Sequence, residues 1–428
     1  MGGPPGLQLM QSLANYTILF CIFVTGFLVS RVFVKTGLAA RAVIDLVRLS
    51  RGHISTLLLL LLGASTLLSS FIPNTVTVLT LIPVLRIINR QYRSLETGPG
   101  QLSTPIVMSV IYGANIGGMA SIIGSPANAV LLGFLPIIEQ RYGTTIAGRG
   151  QINFLSWLAF GIPTAAVLVA IAWFLIAVLL VPKKLKRAEL DFSELEGERG
   201  SAGLRTAGLW YSVVLFGVWI VLSVLQTFVP LLTVSIAVVS VVVTLVAAGV
   251  VFFWQIPTGF RRSEPLLGIR DCYTGLPVKG FLLALFAALF SAVLLFFDIP
   301  EAIGAQIMRL DLSSLAGTLL LYLVLALIVT FLTEFLSNTT VALTFFPLVY
   351  VLAVTLDLMP LTALLLVSLS TTCAFMTPIA TPVNALAYGS VSHVSLRKMV
   401  LLGFLMNVIS ASWLSWAVNT IVPYMISR

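Results

Sequence analysis

Two short polar strings interrupt the apolar runs in each half of this sequence, and they recur in the same order. P-N-T-V-T-V-L-T-L-I-P at 73–83 aligns with S-N-T-T-V-A-L-T-F-F-P at 337–347, matching Asn74 to Asn338, Thr75 to Thr339, Leu79 to Leu343, Thr80 to Thr344 and Pro83 to Pro347. G-S-P-A-N-A at 124–129 then aligns with A-T-P-V-N-A at 380–385. The offsets are 264 residues (337 − 73) and 256 residues (380 − 124), so order and spacing both persist. Chance likeness between apolar segments would match Leu and Val, not Asn, Thr and Pro together. Such residues, set where a helix is interrupted, can hold ions of either sign. Free N–H groups at a helix N-terminus attract anions, with the helix dipole behind them. Free carbonyls, with Asn and Ser/Thr oxygens, suit a hard cation such as sodium. An Asn amide has a donor end and an acceptor end and can serve both. The residues so marked are Asn74 and Thr75, Gly124 to Pro126, Ser337 to Thr339, and Ala380 to Pro382.

The elements that carry these strings must leave backbone unpaired inside an apolar run. Hydrocarbon does not tolerate that unless protein or a water-filled cavity receives the free groups. Four runs are longer than the roughly 20 residues a straight span needs: 53–88, 103–138, 313–354 and 360–392, each interrupted by Pro, Gly or Asn. Arg51 precedes the first, and Arg86, Arg90 and Arg93 follow its turn, so both ends lie on one side and the run reads as a re-entrant hairpin. The run at 313–354, flanked by Asp311 and Asp357, reads as a hairpin opening to the other side. The runs at 103–138 and 360–392 read as crossings broken in the middle. The expected fold is an all-α polytopic membrane protein of two inverted repeats, each with a re-entrant hairpin and a broken helix. The first repeat spans 1–181, a cytoplasmic linker 182–207, and the second repeat 208–428.

Composition and charge support this layout. Hydrophobic residues make up 59% of the 428 and charged residues 9%, against about 25% charged in a soluble domain. Mean hydropathy is +1.08. With eight crossings, two hairpins and both termini outside, only Arg141, Arg149, Arg309 and Arg428 of the 24 Lys and Arg fall outside. That is the asymmetry that orients membrane proteins. The net charge of +9 therefore serves topology and does not imply nucleic acid, because the basic residues lie between apolar runs and not in one patch. Cys21, Cys272 and Cys373 are dispersed, without disulfide or zinc spacing, and His53 and His393 are isolated. The first apolar run, 14–34, lacks a basic leader and a cleavage pattern and reads as a span. The protein is expected in the inner (plasma) membrane of a bacterium. Ser109, Ser156, Ser212 and Asn407 read as ordinary helix-packing polar groups.

The strings T-E-F-L-S-N-T-T at 333–340, C-A-F-M-T-P-I-A-T-P-V-N-A at 373–385 and I-G-G-M-A-S-I-I-G-S-P-A-N at 116–128 resemble signatures of the divalent anion/sodium symporter family. The resemblance covers most of the chain from about residue 20. It implies transport of dicarboxylates, citrate or sulfate, mostly with sodium and in some members by sodium-independent exchange, in homodimers that move by an elevator. It implies that substrate carboxylates meet Asn74, Thr75, Ser125, Pro126, Ser337, Asn338, Thr339, Thr381 and Pro382. It implies one sodium site at Ser69, Asn74 and the carbonyl region of Gly124, and a second at Thr333, Asn338, the Leu336 backbone and Ala380. The family has Ser where this chain has Pro73, which removes a hydroxyl and an N–H. It also has more helices before the first hairpin, so the chain reads as a compact variant or as lacking its start. Glu334 sits beside the second tip and reads first as a hydrogen-bond acceptor that holds the hairpin, and second as a coupling residue.

The leading reading is a secondary carrier of small divalent anions. Rivals are a sodium-independent dicarboxylate exchanger, an arsenite or sodium/proton carrier of the same superfamily, a non-transporting relative, and a membrane-embedded enzyme. Sodium/proton exchange would want more buried acids than Glu334. The sequence has no H-E-x-x-H, paired intramembrane Asp or Walker loop, which argues against hydrolysis and ATP-driven pumping.

Overall fold

The computed structural model describes residues 5–51, 53–92, 100–142, 146, 152–182, 185, 202–259, 262–273, 289, 293, 296–298 and 315–426. Most of the linker 182–207 and of the apolar run 280–298, with basic residues such as Lys183 and Lys279, lies outside them.

Fifteen α-helices follow in chain order among the described residues. The first half holds α1 (Pro5–Thr36), α2 (Leu38–Leu49), α3 (Ile54–Ser69), α4 (Asn74–Tyr92), α5 (Ser103–Ala120), α6 (Pro126–Tyr142) and α7 (Phe154–Leu175), the last extended by a π-turn over Ile176–Leu180. The second holds α8 (Ala202–Phe228), α9 (Thr233–Phe253), α10 (Ile269–Tyr273), α11 (Leu315–Leu332), α12 (Asn338–Thr355), α13 (Pro360–Ser370), α14 (Pro382–Ser390) and α15 (Leu396–Ile426). The described residues are helical apart from a short antiparallel ribbon of β1 (Gln255–Gly259) and β2 (Arg262–Pro265). Lys35 anchors this end of the molecule, donating to the Pro265 carbonyl at 3.0 Å and pairing with Asp271 at 3.1 Å.

Chemistry at each interruption explains where helices stop and start. Helix α3 ends at Ser69 and α4 begins at Asn74; α11 ends at Leu332 and α12 begins at Asn338. Pro126 and Pro382 open α6 and α14, where a missing N–H costs nothing and the fixed φ is already helical. Ser337 caps α12 by accepting from Thr340 N at 3.2 Å, and Thr381 caps α14 by accepting from Asn384 N at 3.3 Å.

The described helices pack as two bodies built from three buried apolar clusters, the third joining α1, α8 and α9 to the ribbon through Leu28, Val32, Leu204, Val251 and Ile256. One large buried cluster draws on α2 to α7 and α11 to α15. A second joins α1, α8 and α9 to the start of α7 through Ile18, Ile22, Phe154, Trp219 and Ile236. Within the first body the halves exchange partners. Helix α4 from the first tip lies on α14 beyond the second break, and α12 from the second tip lies on α6 beyond the first break. Phe134 of α6 and Phe346 of α12 meet as tilted rings with centroids 5.4 Å apart. Residues such as Trp210, Val214, Val221, Val238, Val242 and Leu245 turn outward from α8 and α9. Among the described residues six helical segments are long and apolar enough to cross a bilayer, and that outward face is suited to lipid.

Candidate functional site

At the first tip Ser69 and Asn74 are both buried, and the Ser69 hydroxyl donates to Asn74 Oδ1 at 2.6 Å. The break at 121–125 closes over them. The Ser121 hydroxyl donates to the Ser70 carbonyl. A methyl group at Gly124 would meet the carbonyl oxygens of Gly118 at 2.8 Å, Ser69 at 3.0 Å and Gly117 at 3.1 Å. A methyl at Gly118 would meet the Asn74 amide at 2.9 Å. Three carbonyls thus crowd Gly124 and the Asn74 amide crowds Gly118, and neither position has room for a side chain. Thr75 is half-buried, Ser125 buried and Pro126 exposed at the mouth of the break.

At the second tip the same residue types are arranged differently. Thr333 is buried and turns its hydroxyl to the Thr330 carbonyl at 2.8 Å. Asn338 Oδ1 is shielded from solvent and has no hydrogen-bond partner among the described residues. A shielded acceptor without a partner carries a desolvation cost. Ser337, Asn338 and Thr339 are half-buried, Thr381 and Ala380 buried, and Leu336 and Pro382 exposed. Glu334 is fully buried. Its carboxylate accepts from Met376 N at 2.8 Å, Thr377 N at 2.9 Å and Asn407 Nδ2 at 2.9 Å. Glu334 therefore ties the second tip to the second break, as its first reading had it.

The hydrogen bonds around the two breaks repeat with the sequence offsets. Asn128 Nδ2 donates to the Gly118 and Ser121 carbonyls at 3.0 and 2.8 Å; Asn384 Nδ2 donates to the Ala374 and Thr377 carbonyls at 2.9 and 2.8 Å. Both side chains reach back ten and seven residues. Likewise the Thr377 hydroxyl donates to the Glu334 carbonyl at 3.2 Å, where Ser121 met Ser70. Sequence reading aligned Asn128 with Asn384 but gave them no role; the shared Asn in G-S-P-A-N-A and A-T-P-V-N-A was the available signal. Asn407, read as ordinary helix glue, belongs to the Glu334 clamp. Nothing in its own run of α15 marks it. Ser109 and Ser212 do bond within their helices, to the carbonyls of Pro105 at 2.9 Å and Gly208 at 2.8 Å. Ser156 instead completes the N-cap of α7 with Asn153.

Two interrupted helices with polar ends in an apolar body are transporter architecture, and comparison with known proteins agrees. A family model described as "Citrate transporter" matches residues 5–256, more than half the chain. The chain belongs to this family. Over 416 residues it is 25% identical to the sodium-dependent dicarboxylate transporter SdcS of Staphylococcus saprophyticus, covering 94% of this chain and 76% of that protein. Against the protein of the same name from Staphylococcus aureus strain MRSA252 the identity is 27% over 412 residues, with the same coverage. The YdaH transporter of Alcanivorax borkumensis shares the fold, with a TM-score of 0.59 at 14% identity over 99% of this chain and 90% of its own. This member of the citrate transporter family is thus an integral, multi-pass membrane protein and a secondary transporter, not an enzyme. It falls within the divalent anion/sodium symporter family that its motifs resemble.

Proposed function

We propose that the protein carries small divalent anions, di- or tricarboxylates such as succinate or citrate, or sulfate, coupled to sodium. The observation that carries this reading is the pairing of unlike groups at each interruption. Oxygen ligands crowd the inside of the first tip and break, and four helix N-termini, at Asn74, Pro126, Asn338 and Pro382, begin at the same interruptions. N-termini suit carboxylates and carbonyl cages suit a hard cation. The residues fit sodium. Ser69, Asn74 and the carbonyls around Gly124 would hold one ion, and Thr333, Asn338, the Leu336 backbone and Ala380 a second, where Asn338 Oδ1 has no partner among the described residues. Bound sodium would supply positive charge that no Lys or Arg among these residues provides. Asn74, Thr75, Ser125, Pro126, Ser337, Asn338, Thr339, Thr381 and Pro382 would then orient the anion between the tips.

The separation of apolar cores supports movement of one body against the other. The body with both tips would travel as an elevator along α1, α8 and α9, in inverted repeats and as a homodimer. The bodies touch near the first site, where Phe71 meets Phe216 edge-on at 4.8 Å. A second reading, a sodium-independent exchanger, is favoured by Pro73 and by the Ser69–Asn74 hydrogen bond, which satisfies the first tip internally. Proteoliposomes decide between them. Uptake of labelled succinate, citrate or sulfate that needs an inward sodium gradient supports symport. Uptake driven by internal succinate without sodium supports exchange, and no uptake of any of the three anions overturns both.

A further inference from the structure

We infer that Asn115, Asn128, Asn384 and Ser368 form two crossed pins between the halves, Asn115 to Asn384 and Ser368 to Asn128, so each break is positioned by a residue of the other half. The inference deepens the transport reading by naming positioning residues, but its geometry stands apart from any substrate.

Asn384 bridges the second break with its amide nitrogen. Its Oδ1 accepts from the Thr381 hydroxyl at 3.1 Å and from Asn115 Nδ2 at 3.1 Å. Asn115 lies on α5 of the first half, and its Nδ2 also donates to the Ala374 carbonyl at 2.7 Å. The first break is held in the opposite sense. Asn128 bridges it, and Asn128 Oδ1 accepts from the Ser368 hydroxyl at 2.9 Å, on α13 of the second half. Asn115, Asn128, Asn384 and Ser368 are all fully buried. Rotating the Asn115 amide would set its oxygen against Ala374 O and Asn384 Oδ1, so the network fixes its orientation. Asn115 Oδ1 itself has no partner among the described residues, so the arrangement is held from the nitrogen side, by the two acceptors that Asn115 Nδ2 meets in the second half.

The consequence is a crossed effect. Asn115 belongs to the first half but orients Asn384 and through it Thr381, in the second. Ser368 belongs to the second half but orients Asn128, which closes the first break over Gly124. A helix merely weakened by mutation would loosen its own half.

Hydrogen–deuterium exchange on the purified, detergent-solubilised full chain reads this without any substrate. Asn115→Ala should speed amide exchange across 371–381 by about tenfold, the effect of losing one or two buried hydrogen bonds, and leave 121–125 near wild type. Ser368→Ala, which removes one hydroxyl and nothing else, should speed exchange across 121–125 and spare 371–381. Equal loosening of both breaks, or loosening confined to the mutated half, overturns the pins. If Asn115→Ala does not purify as a monodisperse protein, Ser368→Ala alone carries the test. In a chain shown to transport, Asn115→Ala should raise the KM for the anion more than it lowers the maximal rate, and Asn115→Gln should partly restore it. Failure of all transport with crossed exchange intact would sink the transport reading and leave the pins.

Discussion

The two tips share a motif and differ in how far each is already satisfied. At the first, Ser69 closes on Asn74 Oδ1 at 2.6 Å, and the tip meets its break through one hydroxyl, from Ser121 to the Ser70 carbonyl. At the second, Asn338 Oδ1 stands unpaired among the described residues, and the Glu334 carboxylate bolts the tip to its break through Met376 N and Thr377 N and to α15 through Asn407. Ser70 is the residue aligned with Glu334 (334 − 264 = 70). The halves thus place rigidity in different places. The first holds itself at the Asn74 side-chain oxygen, and the second holds itself behind its tip, leaving Asn338 Oδ1 without a partner among the described residues. A tip held from behind can keep its shape with or without a ligand. A tip held through its ligand oxygens must exchange that internal bond for any cation it takes.

The largest effect should come from removing the bolt. Glu334→Ala leaves the Met376 and Thr377 N–H groups and the Asn407 amide without their acceptor. At about 1–3 kcal/mol for each buried donor left unmade, the loss is on the order of 3 kcal/mol or more. Thermal melting in detergent should fall by many degrees and uptake should vanish. Ser70→Ala, the matched change, removes only a bond to the Thr66 carbonyl at 2.8 Å and should leave uptake within about twofold, as for a lost local hydrogen bond. Equal damage from both would erase the proposed difference. Next in size is Asn338→Ala, which should abolish transport with expression near normal, because the amide is offered to ligand and not to structure. Asn74→Ala should be as damaging to transport, and it also strands the Ser69 hydroxyl, so its melting temperature should drop further. If only one of the two asparagines proves essential, the pocket does not draw on both halves.

A built-in contrast between Gly124 and Ala380 sharpens the comparison. The second break carries a methyl at this position and the first does not. In the first, that methyl would come within 2.8–3.1 Å of three carbonyl oxygens. Gly124→Ala should therefore push these carbonyls out of place and, where they ligate sodium, raise the sodium concentration for half-maximal uptake on the order of a hundredfold, taking about 3 kcal/mol for loss of ligands at a desolvated charge. Ala380→Gly should change it by no more than about threefold, a fraction of a kcal/mol. Equal sensitivity at the two positions would show that the carbonyl cage at Gly124 is not an ion site.

Much of this was legible in the residues because hydrocarbon enforces strict rules. A run too long for one span, with Pro, Gly or Asn inside, has few structures open to it. The helix starts at Asn74, Pro126, Asn338 and Pro382 fall where the aligned strings stand. What escaped was everything decided by contacts across the chain. Glu334 could be read as a hairpin acceptor from its position, but its partner Asn407 is 73 residues away on α15. The links from Asn115 to Asn384 and from Ser368 to Asn128 span 269 and 240 residues, and periodicity carries no trace of them. The ribbon at 255–265 was missed for a simpler reason, since Q-I-P-T-G and R-S-E-P lack the alternation of a half-buried strand.

The smallest change tests the origin of the difference at its source. Ser337 caps α12 through its hydroxyl, which is also shared with Thr340 Oγ1 at 2.6 Å. Pro73 caps α4 through its carbonyl alone, accepting from Val76 N at 2.8 Å and Thr77 N at 3.1 Å. Pro73→Ser restores a side-chain cap, worth roughly 0.5–2 kcal/mol at such positions. Val76 stands where the second tip has Thr340 (340 − 264 = 76), so the new hydroxyl meets no side-chain rival for its proton. It would be free to face a ligand beside Asn74. If the first tip holds sodium, Pro73→Ser should lower the half-saturating sodium concentration by about tenfold, near 1.4 kcal/mol. If the chain is a sodium-independent exchanger whose first tip is kept ordered by the Ser69–Asn74 bond, the same change should leave sodium without effect and slow exchange slightly, because the stiff proline is lost. Uptake measured against sodium concentration for both proteins separates the two. A sodium-dependent mutant with an unshifted curve would remove residue 73 from the neighbourhood of the ion, and the inequality of the tips would then have to arise from Glu334 and its three bonds instead.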